Sequence, residues 1–163
     1  MSVTIGVDIG GTKIAGGIVD ADGDILLRSR QATPVRTPGG VVAAIVEVVQ
    51  ELTASASAAG LGPVEGVGLG AAGLVDETRS IVRFAPNVDW REEPLGPQVA
   101  AGCGLPVVVE NDANAAAWGE FRFGAGRGAH TAVCVTVGTG IGGGIIHEDR
   151  LVRGSLRNLE VNP

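Results

Sequence analysis

The sequence predicts an α/β fold, on three observations. Short apolar runs rich in β-branched residues alternate with segments of helical period. Two of those runs double back through glycine turns. Several end in polar loops, where open α/β sheets carry their ligand sites. The 163 residues suffice for one domain, or for one domain and part of another. Apolar residues reach 45% with only 3% aromatic, so the predicted core is aliphatic.

The stretch Ile5-Gly6-Val7-Asp8-Ile9-Gly10-Gly11-Thr12-Lys13 organises the rest. A strand delivers Asp8 to its end, a Gly-Gly-Thr turn follows, and residues 14–19 return as a second strand, which reads as a β-hairpin. Gly10 and Gly11 lack Cβ atoms where backbone N–H groups could close around a phosphate, and Asp8 stands beside them for a metal. A purely structural hairpin would carry the same glycines.

A turn at residues 20–24 leads to a third strand over 25–33. Residues 37–40 open a helix over 41–59, with Val42, Ile45, Val46, Val49 and Leu52 at helical spacing, and residues 60–63 end it. Residues 64–70 read as a buried strand, with a loop over 71–76 at its carboxyl end. A short strand over 80–84, a loop over 85–90 and a short helix over 95–101 follow. Val107-Val108-Val109 then runs into Glu110-Asn111-Asp112 and a helix over 113–121. Carboxylates where a buried strand meets a helix are costly unless used or exposed; Asn111 or Asp112 as a helix N-cap is the alternative. Last come a strand over 133–137, a glycine turn over 138–144 and a return strand from Ile145. No helix directly follows these glycines, which excludes a Rossmann reading.

Net charge is −6 and pI is near 4.8, with no basic cluster, which argues against a nucleic-acid surface and leaves a nucleotide or sugar pocket open. Cys103 and Cys134 have no metal-ligand spacing, and Cys134, inside an apolar run, is expected to be a buried free thiol. The strand pattern starts by Val3, and no apolar stretch reads as long enough to span a bilayer. A cytoplasmic protein without a membrane partner is expected.

Asp8-Ile9-Gly10-Gly11-Thr12-Lys13, Gly70-Ala71-Ala72-Gly73, Phe84-Ala85-Pro86-Asn87, Glu110-Asn111-Asp112-Ala113-Asn114-Ala115 and Gly138-Thr139-Gly140-Ile141-Gly142-Gly143-Gly144, in this order, resemble the ROK family of sugar kinases. The likeness is closest to its bacterial glucokinases of the actinobacterial type, and it runs over residues 5–154. It implies an actin-like (ribonuclease H-like) ATPase fold of two α/β domains around a cleft. A small domain over 1–116, the start of a large domain over 117–154 and a non-family tail over 155–163 are expected. By the same resemblance Gly10, Gly11, Thr12 and Lys13 form one phosphate loop, with Asp8 in the Mg²⁺ position. Gly138, Thr139, Gly140 and Gly142 form the other. Asp112 matches the catalytic base and Asn111 a hexose-hydroxyl contact, while Ala72, Gly73, Asn87 and Glu110 lie where the family lines its sugar pocket. Lys13 reads equally well as a solvated charge at a strand start.

The implied activity is ATP-dependent phosphorylation of glucose or a related hexose at the 6-hydroxyl, with polyphosphate as an alternative donor. Phosphoryl transfer needs alignment and charge stabilisation, which oriented N–H groups and Mg²⁺ supply. The full-length form is expected to be a homo-oligomer. The family continues with a Glu-x-Gly-His motif and a Cys-x-Cys-Gly-x-x-Gly-Cys zinc cluster, neither of which follows residue 154, so the structural Zn²⁺ ligands are missing and the chain reads as truncated and of reduced activity. Two alternatives stand beside this: a non-catalytic sugar- or phosphate-binding fragment, and a ROK regulator. The latter would carry a helix-turn-helix before the Asp8 strand. A final hairpin severed from its sheet would expose apolar strands and an unpaired edge, predicting self-association or docking onto the small domain.

Overall fold

The computed structural model describes residues 2–34, 39–138, 140–153 and 159–161. Strict alternation along β1 (Val3–Ile9) buries Val3, Ile5, Val7 and Ile9 and turns Thr4, Gly6 and Asp8 outward. β2 (Lys13–Val19) returns antiparallel through the predicted glycine turn, and β3 (Ile25–Ala32) adds to β2. β4 (Val64–Ala71) lies parallel on the other side of β1. β8 (Val107–Asn111), the eighth strand along the chain, lies parallel to β4, giving the order β3-β2-β1-β4-β8.

α1 (Gly40–Ala58) covers one face of this sheet, burying Val41, Ala44, Ile45, Val48, Val49, Leu52 and Ala56. Gly16 makes that contact possible: a Cβ there would stand 2.6 Å from Val48 Cγ1 and 2.8 Å from Leu52 Cδ1. The helix ends as the sequence predicts, with Gly60 at φ +69° and the Leu61 N–H donating to the Ala56 carbonyl. Contrary to expectation, α1 is long and apolar enough to cross a membrane by length and composition; here its apolar face is taken up by the sheet. Of residues 37–40, expected to open the helix, residues 37 and 38 lie outside the described residues.

Between β4 and β8 the chain forms a small antiparallel meander, β5 (Leu74–Val75), β6 (Val82–Ala85) and β7 (Trp90–Glu93), with a 3₁₀ turn at Pro86–Val88. Only β6 was expected. α2 (Leu95–Cys103) then packs beside α1. α3 (Asp112–Phe123) follows β8 without a loop.

The remaining strands form a second sheet: β9 (Thr131–Val137), β10 (Ile141–His147), β11 (Arg150–Leu151) and β12 (Leu159–Val161). The glycine turn is shorter than predicted, because β10 already begins at Ile141 and Gly142, Gly143 and Gly144 pair with Thr136, Val135 and Cys134. Packing of α3 explains glycine inside a strand. A Cβ on Gly142 would lie 2.8 Å from Ala113 Cβ, and one on Gly144 would lie 2.5 Å from Ala117 Cβ. Ala117, Phe121 and Ile146 form a second small core there. The hairpin thus packs on α3, touching Ala113 but making its small core with Ala117 and Phe121, beyond the end expected for the small domain. Cys134 is a free thiol but only half-buried, as is Cys103. The tail contributes β12, which pairs with Ile141–Gly143 of β10.

Candidate active site

Register across β1, β4 and β8 sets Asp8, Gly70 and Glu110 in one row, followed by a row of Ile9, Ala71 and Asn111. Asp8 faces away from α1. Asp112 opens α3 over the neighbouring strand, where a Cβ on Gly70 would lie 3.7 Å from Asp112 Cα. Asp8, Gly70, Glu110, Asp112, Thr136 and Arg153 line one cavity of about 1100 Å³. Burial, and then the charge of Asp112, push the Asp8 carboxyl above its ordinary range, with Lys13 partly opposing them. Asp8 therefore senses both the Asp112 carboxylate and the Lys13 ammonium.

The N-cap alternative is realised, and by Asn111. Its Oδ1 accepts the Asn114 N–H at 3.0 Å, and its Nδ2 donates to the Gly73 carbonyl at 3.2 Å. Asp112 is left in the first turn of α3, where its charge complements the helix dipole. Its Oδ1 accepts the adjacent Ala113 N–H at 2.9 Å, and it stays half-exposed to the cavity.

Glu110 is buried. Its Oε1 accepts the Asn111 N–H at 3.1 Å and Asn114 Nδ2 at 3.3 Å. Its Oε2 meets Arg153 Nη2 at 2.6 Å and Arg79 Nε at 3.3 Å. Arg79 sits at φ +57°, and its carbonyl accepts the Val109 N–H at 2.9 Å. The buried Asp76 shapes that turn. Burial opposes its ionisation, but the Thr78 hydroxyl and the N–H groups of Ile81, Ser80 and Thr78 outweigh this and hold its pKa at about 2.

The first glycine turn closes through the Gly10 N–H donating to the Lys13 carbonyl at 2.9 Å. The Thr33 hydroxyl donates to the Gly10 carbonyl at 2.7 Å, while Gly11, Thr12 and Lys13 stay exposed. Asn87 abuts this turn: a Cβ on Gly11 would lie 3.4 Å from Asn87 Cβ. Gly73 is buried against the end of β6, where a Cβ would lie 2.8 Å from Ala85 Cβ, and Ala72 beside it is half-buried. In the second turn the Gly138 N–H donates to the Gly140 carbonyl at 2.9 Å. Thr139 lies outside the described residues, and Gly142 lies under α3. The structure thus joins Asp8, Glu110 and Asp112 in one cavity, and Gly11 with Asn87 beside it. The second turn reaches that cavity through Thr136 of its own hairpin. Sequence reasoning missed Asp76, Arg79, Asn114 and Arg153.

The Asp8 carboxylate, lining the cavity, is an oxygen donor of the kind that suits Mg²⁺, which takes one or two carboxylates together with substrate phosphates. Among the described residues there is no group of three or more His, Cys, Asp or Glu able to hold a metal.

A sequence model of the ROK family matches residues 4–157. The chain is 55% identical over 154 residues to the glucokinase of Streptomyces coelicolor, covering 94% of this chain and 46% of that protein. It is similar to the crystal structure of a ROK family glucokinase from Streptomyces griseus in complex with glucose and AMPPNP, with TM-score 0.85 and 55% identity over 98% of this chain and 48% of that one. It also resembles an inorganic polyphosphate/ATP-glucomannokinase from Arthrobacter sp. strain KM, with TM-score 0.82, 40% identity, and coverage of 95% of this chain and 62% of that one. The chain spans about half the length of the curated relatives it matches. The matched sugar kinase structures have the actin-like ATPase fold, in agreement with the order of the first sheet. Motif order, sheet order and these likenesses agree, and the chain belongs to the ROK family.

Proposed function

We propose that this chain carries the catalytic base and first phosphate loop of a glucokinase that transfers a phosphoryl group from ATP to the 6-hydroxyl of glucose. The observation that carries the reading is the shared cavity of Asp8 and Asp112, floored by Gly70. The whole protein's activity is inferred also from the glucokinases it resembles, one of them crystallised with glucose and AMPPNP.

In this reading the Asp112 carboxylate accepts the proton of the 6-hydroxyl as the new O–P bond forms. Asn111 is fully buried, with its amide engaged by Gly73 and Asn114, and in this reading it holds the Ala72–Gly73 loop against the start of α3. The Ala72–Gly73 loop, tied to Asn111, and Asn87 beside Gly11 flank the hexose. The exposed Gly11–Thr12 backbone and the charge of Lys13 would meet the phosphates, while the Gly10 N–H is spent on closing the turn. Asp8 would hold Mg²⁺ together with the phosphates, neutralising their charge during transfer and leaving the Asp112 carboxylate free to take the proton. Glu110 and Gly142 have structural partners in the fold, and any ligand contact from them would be additional.

The test is glucose 6-phosphate formation by the protein expressed from its intact gene. Asp112→Asn should lower kcat by about 10²–10⁴-fold, the usual worth of a general base, with glucose binding retained. A wild-type protein that leaves glucose unphosphorylated, or a variant with undiminished kcat, would overturn the reading.

A further inference from the structure

We infer that Glu110 is a positioning residue that fixes Asp112 and couples it to the second sheet through Arg153, and that it makes no contact with the hexose. The kinetic half of this rests on the kinase reading; the structural half does not.

Both oxygens of Glu110 are already engaged. Oε1 takes the Asn111 N–H and Asn114 Nδ2, while the Asn114 N–H goes to Asn111 Oδ1. These bonds close a ring over residues 110, 111 and 114, which fixes where α3 begins. Asp112 lies in the chain between two of the residues so tied, Asn111 and Asn114. Oε2 takes Arg153 from beyond β11 and Arg79 from the turn after β5. Three segments distant in sequence therefore converge on one buried carboxylate immediately behind the proposed base. Charge-assisted bonds of this kind are short and directional, and a buried carboxylate held by two guanidinium groups has little reason to leave them for a neutral hydroxyl. Arg153 Nε is buried without a partner among the described residues, so the Arg153 fork is directed at Glu110 at some cost. Asp112 is consequently in place only when the second sheet is seated against the first.

Two readouts test this. Hydrogen exchange on the chain itself should show the Asn114 amide losing about tenfold protection in Glu110→Gln and in Arg153→Met, with β1 amides unchanged. The double variant should be no worse than either single one, as expected for residues acting as a unit. Undiminished Asn114 protection in both single variants would overturn the inference. In the whole protein, Glu110→Gln and Arg153→Met should each lower kcat about 100-fold, the cost of a displaced catalytic group, while the glucose KM stays within about threefold. A raised glucose KM with kcat intact in Glu110→Gln would make Glu110 a sugar contact and contradict the inference. Absence of glucose phosphorylation by the unsubstituted protein would remove the kinase reading alone, and the exchange result would still decide the positioning role.

Discussion

Asp8 is held in a position that disfavours its own charge. Burial and the Asp112 carboxylate both raise its pKa, and Lys13 compensates only in part. An acid whose folded pKa lies above its unfolded value contributes stability fully present below the unfolded pKa and lost as pH rises through the folded one. Asp8→Asn should therefore raise thermal stability at neutral pH while removing turnover, the trade expected of a functional carboxylate. A variant that melts earlier than wild type at pH 7 would count against this. Asp76 has the opposite sign. Its folded pKa of about 2 lies below the ordinary 3.8, so its contribution is present above pH 3.8 and lost as pH falls through about 2. Asp76→Ala should cost roughly 2 kcal/mol or more at pH 7, since it also orphans the N–H groups of Thr78, Ser80 and Ile81, and its gap to wild type should narrow as pH falls from 4 toward 2. Asp8 and Asp112 were legible because a carboxylate at the end of an apolar strand is conspicuous by itself. Arg79 and Arg153 were not, because a charge in a loop does not name its partner, and only the register of β4 and β8 brings Glu110 to them.

Elements show the same division between local and tertiary causes. α1 was readable from its period, since its buried positions repeat at helical spacing over 19 residues. β5 is too short to alternate, and β7 reads Trp90-Arg91-Glu92-Glu93, whose charges resemble a loop until pairing with β6 is seen. The start of β10 was misplaced because glycine usually marks turns, whereas Gly142 and Gly144 are required by the close approach of α3. Gly144→Ala should accordingly cost about 1–3 kcal/mol through overpacking against Ala117, read as a fall in denaturation midpoint at unchanged m-value. An unchanged midpoint would mean that α3 does not rest on β10. Leu52→Ala, at the centre of the α1 contact, should cost about 2–5 kcal/mol by the same measurement.

Across the whole molecule, two sheets meet at α3, and the cavity between them holds the proposed chemistry. The family fold and the convergence of Asp8 with Asp112 were legible from the order of five motifs. The orientation of the last hairpin was not, since it depends on helix packing. That hairpin turns Val133, Val135 and Val137 outward at 68%, 62% and 79% exposure, on a strand paired only with β10 among the described residues. The isolated chain should self-associate through this edge, with Val135→Lys restoring a monomer in a dilution series followed by light scattering. A monomeric wild type at all concentrations would contradict it. The account rests most heavily on Asp8 and Asp112 facing one another, and carboxyl-carbon NMR titration of Asp8 tests this directly. Asp8 should titrate above its ordinary range in the wild-type chain and move down toward it in Asp112→Asn. An Asp8 titration indifferent to that substitution would separate the two carboxylates and contradict the proposed site.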